Sequence, residues 1–396
     1  SSQFFTCSTI LAGIPLSSSH SLLERITFWA SVSLLLHYQQ EQRTCRNFKF
    51  SSFRLYNSSL TMVFRRSVAV VGVGKMGSNI ARCLIESPIC SEVCGVYDTN
   101  NAIVRELYEE AKAAGKAKSN GFPTSLKDAV AEADCVVVSL SGEDVCHSVC
   151  FGGGESDLIS VLEPGTCVIM ATTVKSSWAR SASERFHEVG IRYVDCPVSG
   201  GPIRAKSGKL TVMMSGCDDS LEAAMPVVKA MGEDIHVITG GSGMASTVKM
   251  CHQLLAGVHI CAAAETLSLA AKAGVDPDQM YKVVSGAAGD SWMFQDRGKR
   301  MIETADPSTM MKLNDHVKDL ANINQEAIEL MCHTPLTSAA LQQFVAAEAL
   351  GLGTSDDSTV VKAYERISGV PVCNRDHELK DEKKNEWGGQ STTHLL

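Results

Sequence analysis

A doubly wound parallel α/β sheet followed by an all-helical domain is the fold class this 396-residue sequence predicts. Three observations predict it. Short β-branched runs, apolar without alternation, recur between helical stretches as far as about residue 239, the pattern of parallel strands covered on both faces. The strands then stop, and Met244 to Gly274 is about eight turns of Ala, Leu and Met without a proline. Hydrophobic residues make up 44% of the chain, enough to fill a core on either side of that break.

The strands come in order along the chain. SVAVVG opens the sheet at Ser67 and leads into the helically spaced SNIARCLIES. VCGVYD (93–98), CVVVSL (135–140), CVIMATT (167–173) and YVDCPVS (193–199) continue it, and LTVMMSG (210–216) and DIHVIT (234–239) extend the series. After Gly240 and Gly241 the long helix begins, joining the two domains. Asp315 to Met331 and Leu336 to Gly351 are helical in pattern as well. There is no internal repeat.

Charge and cysteine usage narrow the function classes. Lys and Arg number 36 against 44 Asp and Glu, a net of −8, so the basic footprint of a nucleic-acid-binding protein is missing and no such partner is expected. Of fifteen cysteines, Cys135 and Cys167 lie inside apolar runs, where the residue acts as a small hydrophobe in a reducing compartment. The pairs Cys90/Cys94 and Cys146/Cys150 lack the further His or Cys pairs of a zinc site, so no metal is expected.

Residues 1–66 stand apart as a leader. They hold seven basic and two acidic residues, leaving a net of −13 on 67–396, and thirteen serines. Their longest apolar stretch, Ile26 to Leu36, is eleven residues, short of the roughly 20 a membrane span needs, and no membrane partner is expected. Two readings stand. A serine-rich, arginine-containing, acid-poor leader resembles an organelle transit peptide; alternatively the first methionine, Met62, directly before VFRRSVAVVGVG, marks the start of the working chain. A cytoplasmic location is expected, with a mitochondrial or plastid one as the consequence of the transit reading. At the other end, 369–396 is expected to be a disordered tail, since from Asn374 it mixes five acidic and four basic residues with GGQSTT.

Three segments carry chemistry. Gly72, Val73, Gly74, Lys75, Met76 and Gly77 lie between a strand and a helix. In that context the glycines allow a tight turn, close approach of a pyrophosphate and close helix–strand packing, the signature of a Rossmann-type dinucleotide site. The helix N-terminus turns free N–H groups and a positive dipole end towards the phosphates. Asp98 ends the next strand, twenty-one residues after Gly77, where a carboxylate accepts from ribose hydroxyls and repels a 2′-phosphate. Thr99, Asn100 and Asn101 come next, with no arginine to clasp a phosphate, which favours NAD over NADP. The second segment, Asp195 to Leu210, ends a strand in Ser199-Gly200-Gly201, gathering backbone amides and a hydroxyl that can hold a carboxylate. In the third, Lys249 lies in the first turns of the long apolar helix with Gln253 at i+4. A buried lysine there has its pKa lowered towards acid/base use, whereas a snorkelling one keeps its head in water.

Together these segments resemble the β-hydroxyacid dehydrogenase family, the group of 3-hydroxyisobutyrate dehydrogenase and the glyoxylate and succinic-semialdehyde reductases. Val71 to Gly77 matches its glycine motif, with Val73 where leucine is usual. Asp195 to Leu210 matches the substrate segment, Lys249 the catalytic lysine, and Val317-Lys318-Asp319-Leu320 the segment whose lysine reaches over the nicotinamide. The four cover about residues 67–368. One departure is that Gln253, preceded by His252, stands where the family has asparagine. The stretch Ser246 to Ile260 and Gly289 to Phe294 are similar to the L-threonate dehydrogenase subgroup, which suits a substrate with more hydroxyls than 3-hydroxyisobutyrate. His252 is read either as a substrate ligand or as a structural histidine.

The resemblance implies an NAD-binding domain over 67–239 and a helical substrate and oligomerisation domain over 240–368, in a homo-oligomer (dimer or tetramer). It implies oxidation of a small hydroxy acid, L-threonate to 2-oxo-tetronate, by hydride transfer to NAD with Lys249 as acid/base. Amides around Ser199, Gly200 and Gly201 would hold the substrate carboxylate, with His252 and Gln253 nearby. Leu140, Thr173 and Lys318 would line the cofactor. A 3-hydroxyisobutyrate dehydrogenase or a glyoxylate or succinic-semialdehyde reductase is the enzymatic alternative, and a non-catalytic dinucleotide-binding chromatin reader the other. Such a reader would lack the lysine.

Overall fold

The computed structural model describes residues 66–117, 121–153 and 157–373. The expected leader, apart from Arg66, and the part of the expected tail beyond Cys373 lie outside the described residues.

Five parallel strands form the first sheet. Its elements are β1 (Arg66–Val71), α1 (Gly77–Glu86), β2 (Cys90–Tyr97), α2 (Asn101–Ala113), α3 (Leu126–Val130), β3 (Cys135–Val138), α4 (Glu143–Phe151), α5 (Leu158–Val161), β4 (Cys167–Met170), α6 (Ser176–Glu188) and β5 (Arg192–Asp195). The strand order is β2-β1-β3-β4-β5, a doubly wound arrangement whose direction reverses between β1 and β3. Val68 and Val70 pack with Ile80 and Leu84 on one face, while Ala69 and Val71 pack with Cys146 and Phe186 on the other. That two-sided burial is why these strands read as continuous apolar runs. Cys135, Cys146 and Cys150 are buried free thiols within these cores, and Cys167 is buried among them.

The expected strand 193–199 splits, and the later strands leave the parallel sheet. Pro197 has no N–H to continue the ladder, so β5 ends at Asp195 and the chain turns into β6 (Val198–Ser199). After α7 (Gly201–Lys206), β6 pairs antiparallel with β7 (Leu210–Met214); beyond α8 (Asp218–Met231), β7 pairs parallel with β8 (Gly232–Val237). An isolated bridge between Asp195 and Ser215 ties this three-stranded sheet to the first.

The second half is helical as expected: α9 (Met244–Lys272), α10 (Pro277–Val284), a π-type turn Phe294–Gly298, α11 (Lys299–Glu303), α12 (Leu313–Glu329), α13 (Pro335–Ala347) and, after a 3₁₀ turn, α14 (Val361–Ser368). By length and hydropathy α9 is apolar enough to cross a bilayer, but half of its most apolar window is buried in the protein. Ile260, Ala264 and Leu267 of α9 pack with Phe294, Leu320 and Phe344. Beneath them Arg297 holds Asp357 with two hydrogen bonds of 2.9 and 3.0 Å, and His316 Nε2 adds a third contact at 3.1 Å. The tail expectation is corrected for its first residues. Val372 and Cys373 are fully buried, and the Val372 amide donates to Glu365, so the fold continues past Ser368.

Candidate active site

The glycine turn lies at the β1/β3 switch point, where doubly wound sheets open a crevice at the carboxyl ends of their strands. Gly72 has φ +85°, and a Cβ on Gly77 would lie 1.9 Å from the Gly72 carbonyl oxygen, so helix and turn touch with no room for a side chain. Gly74 faces open space, and no side chain caps α1. Open backbone at a helix N-terminus is what a pyrophosphate needs, and the residues fit a dinucleotide. Asp98 is committed to the turn itself. Its Oδ2 accepts from the Val73 amide at 2.8 Å and its Oδ1 from the Asn100 amide at 2.9 Å.

The neighbouring strand ends complete this crevice. The Leu140 side chain lies against Gly72, and its amide donates to Thr172 Oγ1 at 2.8 Å. Thr173, expected to line the cofactor, is half-buried; the hydroxyl that organises this edge belongs to Thr172. From α12, Lys318 Nζ reaches to 3.5 Å of the Ser141 carbonyl oxygen, beside Gly142. Lys75 spans the crevice differently, donating from Nζ to the Thr309 carbonyl oxygen of the helical half at 2.9 Å. Met76 packs against the sheet core.

Helix α9 starts without a cap of its own. Gly243 sits at φ +91°, and a Cβ there would lie 2.6 Å from the Ser176 carbonyl oxygen. The cap comes instead from Asp195 at the end of β5. Its carboxylate accepts from the amides of Gly243 and Ser246 at 3.1 and 2.8 Å, and from the hydroxyls of Ser246 and Ser215 at 2.6 and 3.2 Å. Burial pushes the Asp195 carboxyl up, and these donors oppose it. In the sequence Asp195 is only the edge of a motif. Its signal, an acid at a strand end with a serine in the first turn of a later helix, spans fifty-one residues.

Six residues into that helix, Lys249 is buried, and burial brings its amine down to about 8 against the opposing charge of Asp319. One turn on, His252 Nδ1 lies 3.1 Å from Gln253 Oε1, and His252 Nε2 lies 3.1 Å from Ser199 Oγ. Gln253 Nε2 donates to Asp319 Oδ2 at 2.8 Å, while Asp319 Oδ1 lies 3.5 Å from Lys318 Nζ. Burial first, then the Lys249 charge, lowers the His252 imidazole to about 4. Gly200 (φ +125°) and Gly201 (φ +66°) turn the chain from Ser199 into α7. The structure thus brings together Ser199, His252, Gln253 and Lys249, and it joins them through Asp319 to Lys318 at the cofactor crevice. The Gln253 amide is committed at both ends, so it supports the site rather than facing it. Among the described residues no group of three or more His, Cys, Asp or Glu gathers to hold a metal.

Comparison with known proteins agrees with this architecture. Residues 67–241 match the NAD-binding domain of 6-phosphogluconate dehydrogenase, and residues 243–364 the NAD-binding region of NADP-dependent 3-hydroxyisobutyrate dehydrogenase. L-threonate dehydrogenase of Haemophilus influenzae is 37% identical over 302 residues, 76% of this chain and 96% of its own. 2-(Hydroxymethyl)glutarate dehydrogenase of Eubacterium barkeri is 28% identical over 305 residues, 77% of this chain and 97% of its own. A crystal structure of a Salmonella typhimurium 3-hydroxyisobutyrate dehydrogenase superimposes with a TM-score of 0.67 at 34% identity, covering 75% of this chain and 99% of that one. The chain belongs to the β-hydroxyacid dehydrogenase family of 3-hydroxyisobutyrate dehydrogenase-like enzymes, NAD-dependent oxidoreductases that act on the CH–OH group of small hydroxy acids.

Proposed function

We propose that this enzyme oxidises L-threonate at C2. The observation that carries the reading is the His252–Gln253 pair beside Lys249, tied to Ser199 on one side and Asp319 on the other. A site walled for 3-hydroxyisobutyrate needs apolar surface and one amide. This one holds a serine hydroxyl in place through the His252 imidazole at the Lys249 site, and a polar group left without a partner when the substrate covers it costs about 1–3 kcal/mol. The relationship to L-threonate dehydrogenases at 37% and 35% identity supports the same choice.

NAD, when bound, supplies the hydride acceptor. The chain's own residues do the rest. The uncapped N-terminus of α1, with Gly72, Gly74 and Gly77, holds the pyrophosphate, while Asp98 disfavours a 2′-phosphate. Amides around Ser199, Gly200 and Gly201 hold the substrate carboxylate. Lys249, brought down to about 8, is partly neutral near working pH and takes the proton of the reacting hydroxyl; in the reverse direction it gives that proton back. Asp319 keeps the lysine from falling further. Lys318, over the end of β3, closes the crevice from the helical side.

The test is kcat/KM for L-threonate against 3-hydroxyisobutyrate at one pH with saturating NAD. L-threonate is expected to win by roughly tenfold to a hundredfold, and Gln253→Asn to lower that ratio because the shorter side chain cannot join His252 to Asp319. A win for 3-hydroxyisobutyrate ends the threonate reading.

A further inference from the structure

Four side chains run in line from the substrate segment to α12, and each hydrogen bond between them has a direction. The Asp319 carboxylate can only accept, so Gln253 Nε2 is the donor and the amide orientation is fixed by the network. Gln253 Oε1 therefore faces His252 as an acceptor, which puts the imidazole proton on Nδ1. With the ring held neutral by burial and by Lys249, Nε2 is left as a bare lone pair. Ser199 Oγ, 3.1 Å away, donates to it. All three protons point towards Asp319. The one proton on the Ser199 hydroxyl is spent, and its oxygen has only lone pairs left to offer.

We propose that Ser199 Oγ is a hydrogen-bond acceptor for a second substrate hydroxyl, on the carbon next to the reacting one, and that Asp319, through Gln253 and His252, is the positioning residue that enforces this polarity. The proposal rests on the hydroxy-acid reading above and deepens it. Lys249 and His252 are three residues apart on one helix and so share a face, which sets Ser199, bonded to His252, on the same side of the helix as the amine. A serine turned this way adds no donor for the carboxylate, which is left to the backbone amides. A substrate without the second hydroxyl leaves the Ser199 lone pair facing a carbon, and is rejected by roughly tenfold or more.

The test uses a matched pair, L-threonate and its 3-deoxy analogue 2,4-dihydroxybutanoate of the same C2 configuration. Steady-state kcat/KM is measured with saturating NAD for the wild type, Ser199→Ala, Asp319→Asn and the double variant. The wild type is expected to prefer L-threonate by roughly tenfold or more. Ser199→Ala should bring the ratio near one, and Asp319→Asn should narrow it, because an amide at the end of the relay can donate and lets the chain reverse. The double variant should narrow it no further than Ser199→Ala, as expected of groups acting through one another. If Asp319→Asn does not fold, His252→Asn takes its place and should narrow the ratio in the same way. A Ser199→Ala enzyme that loses both substrates equally places the hydroxyl on the carboxylate and overturns the proposal. So does an Asp319 variant, or its His252 substitute, with an unchanged ratio. A wild type that oxidises both acids without preference overturns the relay alone, whereas one that oxidises neither removes the hydroxy-acid reading and the relay with it.

Discussion

The two halves of the active site are built from different materials. The cofactor crevice is backbone: glycines at the end of β1, an uncapped helix start, and one carboxylate spent on holding the turn. The proposed catalytic half is side chain: a buried amine, an imidazole and an amide on the first turns of α9, joined to Ser199 and to the Asp319 carboxylate of α12 across 53 and 66 residues of sequence. The contrast teaches where each half is fragile. A backbone site fails when a side chain is added, and a side-chain site fails when one is removed.

The largest effect should come from removal. Lys249→Ala is expected to lower kcat by about a hundredfold or more, the scale of losing a positioned acid/base. NAD affinity, measured by fluorescence titration, should change little, which would confirm that the two halves are separable; retention of most of the turnover would take the lysine out of the mechanism. Addition comes next. Gly77→Ala puts a methyl 1.9 Å from a backbone oxygen that cannot yield, and overpacking of this kind costs about 1–3 kcal/mol. Calorimetry should find a lower transition and a smaller rise on adding NAD.

Asp195 belongs to neither half and joins them. Asp195→Asn turns one amide donor into a cluster of four donors, and urea denaturation should show a loss of about 1–3 kcal/mol. An unchanged midpoint would mean that α9 does not depend on this cap. A smaller effect is expected at Asp98. Asp98→Ala should narrow the preference for NAD over NADP in kcat/KM, since repulsion of a 2′-phosphate is removed; a wild type that already prefers NADP would overturn the role given to this acid. Smallest is a pH effect. Oxidation needs Lys249 neutral, so kcat/KM should rise with pH and level off above about 8. Asp319 holds the amine up, so Asp319→Asn should move that limb to lower pH, and a limb moving upward would contradict the placement of the charge.

The same division explains what could be read from the sequence. Gly72, Gly74 and Gly77 were legible because a backbone requirement leaves one residue type at fixed spacing. The five buried strands were legible because burial on both faces leaves no polar alternation. Asp195, Thr172 and Asp319 were not assigned their roles. Each acts on a partner brought close only by the fold, Ser246 for Asp195 and Gln253 for Asp319, so no local spacing records the contact. The second sheet was merged with the first because β7 is as apolar as a central strand, and its parting at Pro197 is a matter of backbone direction. Lys249 was found by position on an apolar helix, but that it is buried rather than snorkelling needed the helical domain packed around it.

The cap on α9 also sets how the enzyme can bend. The helix runs 29 residues as one rod, about 43 Å, pinned at its start to the sheet through Asp195. If the helical half swings, it pivots at Gly243. Lys249 lies about 9 Å from that pivot and travels only about a fifth as far as the far end. The geometry is that of a lever with its working tool beside the fulcrum: the crevice can open widely at the rim while the amine keeps nearly the same place beside the sheet.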